Sequence, residues 1–184
     1  MALGDPYATL ADLKARFDVT DSVDDAAMTQ ALSSASRAVE LHTDRQFNLA
    51  TSETGRLYEP YSNRLLVVDD FQFAETITVA LSDGTAVTTF DAGPTDAINQ
   101  HGVAWKLRGS WLAERYTVTT RWGWASVPAQ VKEATLILAS ELFKLKDAPF
   151  GVAGFGDFGV VRIRDNPKVA ALLDPYRLTG PRVL

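Results

Sequence analysis

The spacing of apolar residues changes period twice along this 184-residue chain, and that change limits the fold more than any other feature. Near the start, Leu10, Leu13 and Phe17 share one face of a short helix that Thr9 is placed to cap. Asp18 to Asp21 breaks the pattern. Ser22 stands three residues before Asp25, the spacing of a capping box, and opens a longer helix. Its inward stripe is Met28, Ala31, Leu32, Ala35, Ala38, Val39 and His42, rich enough in alanine for another helix to approach closely. From about Arg56 to Trp124 the period falls to two. Ile77, Val79 and Leu81 alternate with Thr76, Thr78 and Ala80, and Ser82-Asp83-Gly84-Thr85 then predicts a hairpin into Val87–Phe90. Arg64–Val68, Val103–Leu107 and Tyr116–Trp122 are further strands, with Asp69 and Asp70 ending the first of them.

The helical period then returns. Pro128 suits a first helical turn, and Val131, Ala134, Leu138, Leu142 and Leu145 form a stripe that Leu136, Ile137 and Phe143 widen. Asp147-Ala148-Pro149 ends it. A glycine-rich stretch follows, with a short strand at Val160–Ile163 and a helical turn from Asn166 or Pro167 to Leu173. The reading is an α+β fold: a helical bundle built from the N- and C-terminal helices, with an inserted small antiparallel β domain. The bounds are 1–50 for the N-terminal helices, 55–124 for the β domain, 125–148 for the long C-terminal helix and 149–184 for a glycine-rich loop and tail.

Composition removes several classes of function. A net charge of -5 argues against a protein that coats nucleic acid, which needs clustered Lys and Arg. The absence of cysteine removes disulfides, thiol nucleophiles and thiolate metal sites, and fits a chain made in a cytoplasm. Met1 to Leu10 has no basic segment before an apolar one, so no signal peptide is expected. No apolar run approaches the roughly 20 residues of a membrane span.

Motifs for chemistry are sparse. Gly154-Phe155-Gly156-Asp157-Phe158-Gly159 spells G-x-G-x-x-G, but a helix precedes it and a strand follows, the reverse of a dinucleotide site. His42 falls on a helical stripe and His101 in a loop, neither at metal-ligand spacing from a second histidine. Asp24-Asp25 reads as first-turn acids, and no G-x-S-x-G elbow surrounds a serine. The expectation is no catalytic residue, no metal and no cofactor. A carboxylate hydrolase would need two acids facing across a cleft. The alternative function is a carbohydrate- or ligand-binding module that uses Trp105, Trp111, Trp122 and Trp124 as a stacking platform; otherwise these side chains fill the sheet's core.

Four segments resemble a known family. Trp122-Gly123-Trp124-Ala125-Ser126-Val127-Pro128 running into an apolar helix is similar to the junction in head–tail connector proteins, the head-to-tail adaptors of siphophages of actinobacteria-type hosts. The run Lys146–Ile163 and the ending Asp174-Pro175-Tyr176-Arg177 resemble the same family, and Tyr7–Leu13 is similar to its start. The resemblance implies a structural protein of the virion neck that forms a homo-oligomeric ring of about twelve copies. Such a ring lies between the phage portal protein and the next neck protein, a stopper or tail terminator. It lines the channel for passing genomic DNA without sequence-specific binding or contact with a membrane. Carried onto this sequence, Val160, Val161, Arg162, Ile163, Tyr176, Arg177, Leu178, Arg182, Val183 and Leu184 face the portal. Leu138, Leu142, Phe143 and Leu145 form the ring interface, and the Gly151–Gly159 loop reorders on assembly. The apolar tail end suits strand addition to a partner, and an acidic subunit suits a lumen that DNA crosses.

Overall fold

A computed structural model describes residues 4–93, 102–145 and 166–178. The chain divides into two compact units. One is helical in its described residues, 4–45, 127–145 and 166–178; the other, within residues 46–126, carries all seven described strands. The fold is α+β.

In the helical unit, α1 (Leu10–Phe17) begins with a capping box: the Asp12 N–H donates to Thr9 Oγ1 at 3.1 Å, and the Thr9 N–H donates to the Asp12 carboxylate at 2.9 Å. The box expected at Ser22 does not form. Asp21 Oδ1 takes the Val23 N–H at 3.0 Å, Asp25 is drawn to Lys14 at 2.7 Å, and α2 (Asp25–Thr43) starts from Asp24 with no side-chain cap. Met28, Ala31, Leu32, Ala35 and Val39 are buried along α2, as the helical spacing requires, while Ala38 and His42 are half-buried. Buried Ser36 and Thr43 donate to the carbonyls of Leu32 and Val39, so neither hydroxyl is stranded. The long face of α2 packs on α3 (Ala129–Leu145), where Ala134 and Ala139 are also buried. Lys132–Asp12 at 2.9 Å and Arg16–Glu133 at 2.5 Å tie α1 to α3. Asn166 caps α4 (Pro167–Leu173) through the Val169 N–H, and a 3-10 turn, Asp174–Tyr176, follows.

The β unit is two antiparallel sheets. One has the order β1-β7-β3-β4, from β1 (Thr54–Tyr58), β7 (Tyr116–Thr120), β3 (Thr78–Leu81) and β4 (Ala86–Val87). The other has the order β2-β6-β5, from β2 (Leu65–Gln72), β6 (Val103–Gly109) and β5 (Phe90–Gly93). The turn between β3 and β4 is closed by Thr85 N–H on Asp83 Oδ1, with Gly84 at φ +87°. Leu66, Val68, Ala104 and Leu107 of one sheet and Val79, Tyr116 and Val118 of the other share a single core with Phe71, Trp111 and Trp122. Strand β2 does not end at Asp69-Asp70. It continues to Gln72 through an irregularity between Val67 and Phe71.

Candidate assembly surfaces

The Trp122-Gly123-Trp124 sequence is a clasp inside the β unit. Trp122 Nε1 donates to the Thr54 carbonyl at 2.8 Å, and its ring meets Phe71 edge-on at 6.4 Å. Trp124 Nε1 donates to Asp70 Oδ2 at 2.7 Å and stacks at a tilt on Phe47, 5.0 Å away. Between them Gly123 sits at φ +105°, and a Cβ there would run into the Asn48 carbonyl. The Gly123 N–H donates to the Asp70 carbonyl at 2.6 Å, and the Trp122 carbonyl accepts from Ala50 at 2.7 Å. The motif thereby binds residues 47–50, the start of β1 and the bulged end of β2 into one block.

A second network spans β1 and β2. Tyr58 Oη donates to Asp69 Oδ2 at 2.8 Å, and Arg56 reaches the same oxygen at 2.5 Å while its guanidinium lies 4.8 Å from the centre of the Trp122 ring. Burial first, and then the Asp69 charge, hold the Tyr58 phenol well above its ordinary range. Asp69 and Asp70 therefore serve the β unit's own packing. Trp111, Trp122 and Trp124 are buried and Trp105 is half-buried, so three of the four tryptophans offer no stacking surface.

The residues expected to face a portal fall into two groups. Val160, Val161, Arg162, Ile163, Arg182, Val183 and Leu184 lie outside the described residues, as does the Gly151–Gly159 loop. Tyr176, Arg177 and Leu178 are described, and they differ in role. Tyr176 is 5% exposed, donates to Gln130 Oε1 at 2.9 Å, and has its phenol raised by burial. The Leu178 N–H donates to the Thr43 carbonyl at 2.9 Å, and Arg177 is exposed. Asp174 sits 3.5 Å from His42 Nε2. With Val169 and Leu173 wholly buried, this segment is fastened to its own helical unit as far as Leu178.

The four apolar residues of α3 expected at a ring interface separate by depth. Leu138 has no exposed surface, because it packs the subunit's own core, and so has nothing to offer a neighbour. Leu142 and Phe143 are half-buried, with Phe143 edge-on to Phe17 at 5.3 Å, and Leu145 is 46% exposed. Sequence reasoning missed two exposed residues at one end of the β unit, Tyr61 at 50% and Leu112 at 81%. Neither belongs to a periodic pattern.

Among the described residues no group of three or more His, Asp or Glu gathers to hold a metal ion, and no described helix is long and apolar enough to cross a membrane. No protein-family model and no curated protein matches the chain. Several solved chains are similar to it in fold, among them two from gene transfer agent particles. One is a chain from the neck of an empty gene transfer agent particle computed with C6 symmetry, with a TM-score of 0.62 and 18% identity over 100% of this chain and 95% of that one. The other comes from the virion of a native gene transfer agent particle, with a TM-score of 0.57, 18% identity and the same coverage. At this identity the likeness is one of fold, and it runs the whole length of the chain.

Proposed function

We propose that this chain is a head-to-tail adaptor, a structural subunit of the neck of a tailed-phage-like particle, and not an enzyme. The observation that carries the proposal is the full-length fold likeness to a chain of a particle neck. The residues around Trp122–Pro128 and Asp174–Arg177 support it independently, through their resemblance to siphophage adaptors. The copies form a ring between the portal and the next neck protein, around the path of the DNA. About twelve copies suit a neck of sixfold symmetry, two per repeat. Leu145, with the outer parts of Leu142 and Phe143, makes the contact between copies. Arg177 and the residues after Leu178, with Val160–Ile163, grip the portal, while Tyr176 anchors that tail to its own subunit. The Trp-platform alternative gains no support from three buried tryptophans.

The test is co-sedimentation with DNA-filled, tailless heads of the particle that carries this chain. The full chain is run beside a version ending at Leu178. A cut ahead of α4 would strip Val169, Leu173 and Tyr176 from the core, so the stop is placed at Leu178, whose N–H still reaches the Thr43 carbonyl. Saturable binding by the full chain alone supports the adaptor role and a portal contact beyond Leu178. Binding by both keeps the role and moves the contact. Binding by neither refutes the proposal.

A further inference from the structure

Asp83 is the chain's one aspartate followed by glycine, and no asparagine precedes a glycine. The pair sits at the tip of the β3–β4 hairpin, where residues 82–86 are exposed. The Gly84 peptide nitrogen is bonded to the Asp83 main-chain carbonyl carbon. It can also reach the Asp83 side-chain carboxyl carbon, closing a succinimide ring. Glycine leaves that nitrogen approachable, and a Cβ built at Gly84 would meet nothing within 4 Å, so no neighbour crowds the attack.

The closed hairpin opposes that reaction. The Thr85 N–H donates to Asp83 Oδ1 at 2.8 Å and holds the carboxyl below its ordinary range, in the ionised form that gives up its oxygen least readily. The Gly84 N–H donates to the Leu81 carbonyl at 3.0 Å, and the Leu81 N–H donates to the Thr85 carbonyl at 2.9 Å. These bonds fix the carboxyl over Thr85 and turn the Gly84 nitrogen toward Leu81. The closure is short, because β4 has only two residues and lies at the edge of its sheet. It pairs with β3 through Val79–Val87 and Ala80–Ala86. So few bonds on an exposed edge open at low cost, without unfolding the sheet behind them.

We propose that Asp83–Gly84 is a spontaneous modification site, at which isoaspartate forms from the opened hairpin tip and the closed hairpin guards against it. In the opened tip the Gly84 nitrogen attacks the protonated side-chain carboxyl of Asp83. A nitrogen–carbon bond forms, the amide proton and the carboxyl hydroxyl leave as water, and the succinimide results. Water then adds at either ring carbonyl. Breaking the new bond restores aspartate. Breaking the original peptide bond sends the main chain through the Asp83 side chain and frees the old main-chain carbon as a carboxylate. The water lost is regained, so the mass is unchanged. The altered chain is longer by a methylene, which removes the spacing that lets Gly84 and Thr85 both bond Leu81. The proposal is independent of the neck reading.

The test incubates the full chain at neutral pH, either folded in buffer or unfolded in guanidinium chloride. Isoaspartate is counted by enzymatic methyl transfer from S-adenosylmethionine to its free carboxylate, and placed along the chain by fragmentation mass spectrometry. Val87→Gly loosens β4 without touching a reacting atom, and tryptophan emission shows whether the β unit stays folded. Val87→Ala is the milder substitute if it does not. The expected result is isoaspartate at residue 83, forming roughly tenfold more slowly in folded than in unfolded wild type, with the folded Val87 variant in between. A folded wild type that reacts as fast as the unfolded chain overturns the proposal. So does a folded Val87 variant no faster than wild type, because tip opening is then not the route. Absence of isoaspartate at residue 83 even in guanidinium chloride overturns it as well.

Discussion

Gly123 is a position at which a methyl group has nowhere to go. Its φ of +105° is strained for any L side chain, and the Asn48 carbonyl occupies the space where a Cβ would stand. Gly123→Ala is expected to destabilise the β unit by at least ~2 kcal/mol, measured by urea unfolding followed through tryptophan emission. The glycine was legible in the sequence as part of a motif, but its reason was not, because Asn48 lies far away along the chain. Asp12 makes a different prediction. The Thr9 hydroxyl above all, with Lys132 adding to it, holds the Asp12 carboxyl at about 2, below its ordinary 3.8. A carboxyl lowered in the folded state contributes stability that is present above its ordinary value and lost as pH falls from about 4 to about 2. Asp12→Asn should flatten the acid limb of the helical unit's stability curve over that window, read by circular dichroism. The sequence held two similar capping signals, Thr9–Asp12 and Ser22–Asp25. Only long-range partners decided between them, since Lys14 claims Asp25 and Lys132 supports Asp12.

Elements were more legible than individual residues where one period ran long. Most of the α2 stripe is buried as its spacing requires because that face meets chiefly one helix, α3, with α1 and α4 beside it. Leu138 and Leu145 stand seven residues apart on one face of α3, so spacing alone could not show that the first is covered while the second, at the helix's last residue, is exposed. Two substitutions now separate them. Leu138→Ala should cost about 2–5 kcal/mol of stability in the isolated chain, from burial lost and cavity left. Leu145→Asp should leave the melting temperature within about a degree or two, as surface changes do, and yet abolish ring formation in sedimentation velocity. A ring that survives Leu145→Asp would move the contact between copies off α3. Strand β2 was cut short in the sequence reading because paired aspartates normally end a strand. They continue it here because Asp69 receives Arg56 and Tyr58, and Asp70 receives Trp124, all partners supplied from other strands or the clasp. Loops 59–64 and 110–115 were invisible as a unit for a related reason: two backbone bonds, the Tyr116 hydroxyl and the Arg115–Glu59 pair stitch them together, and none of these leaves a periodic signal.

At the scale of the whole molecule the two units carry separate reporters. All four tryptophans lie between 105 and 124, inside the β unit, whereas every described helix belongs to the other unit. Each unit also holds a tyrosine whose phenol is raised, Tyr58 in the β unit and Tyr176 in the helical unit. A phenol raised in the folded state keeps its proton after the unfolded chain has begun to lose its own. The stability it contributes is therefore complete below the ordinary tyrosine value of about 10 and declines as pH rises beyond it. For Tyr58 the loss is about 1 kcal/mol by pH 11, since one pH unit past the unfolded value is worth that much. Urea unfolding at pH 8 and pH 11, followed by tryptophan emission, should show this difference in wild type and a smaller one in Tyr58→Phe, even though that variant starts less stable for want of the bond to Asp69. Followed by helical ellipticity, the same experiment should respond to Tyr176→Phe instead. An alkaline loss in the tryptophan signal that Tyr58→Phe leaves untouched would mean that some other group titrates in the β unit, and that Asp69 organises the β1–β2 network without depending on the Tyr58 proton.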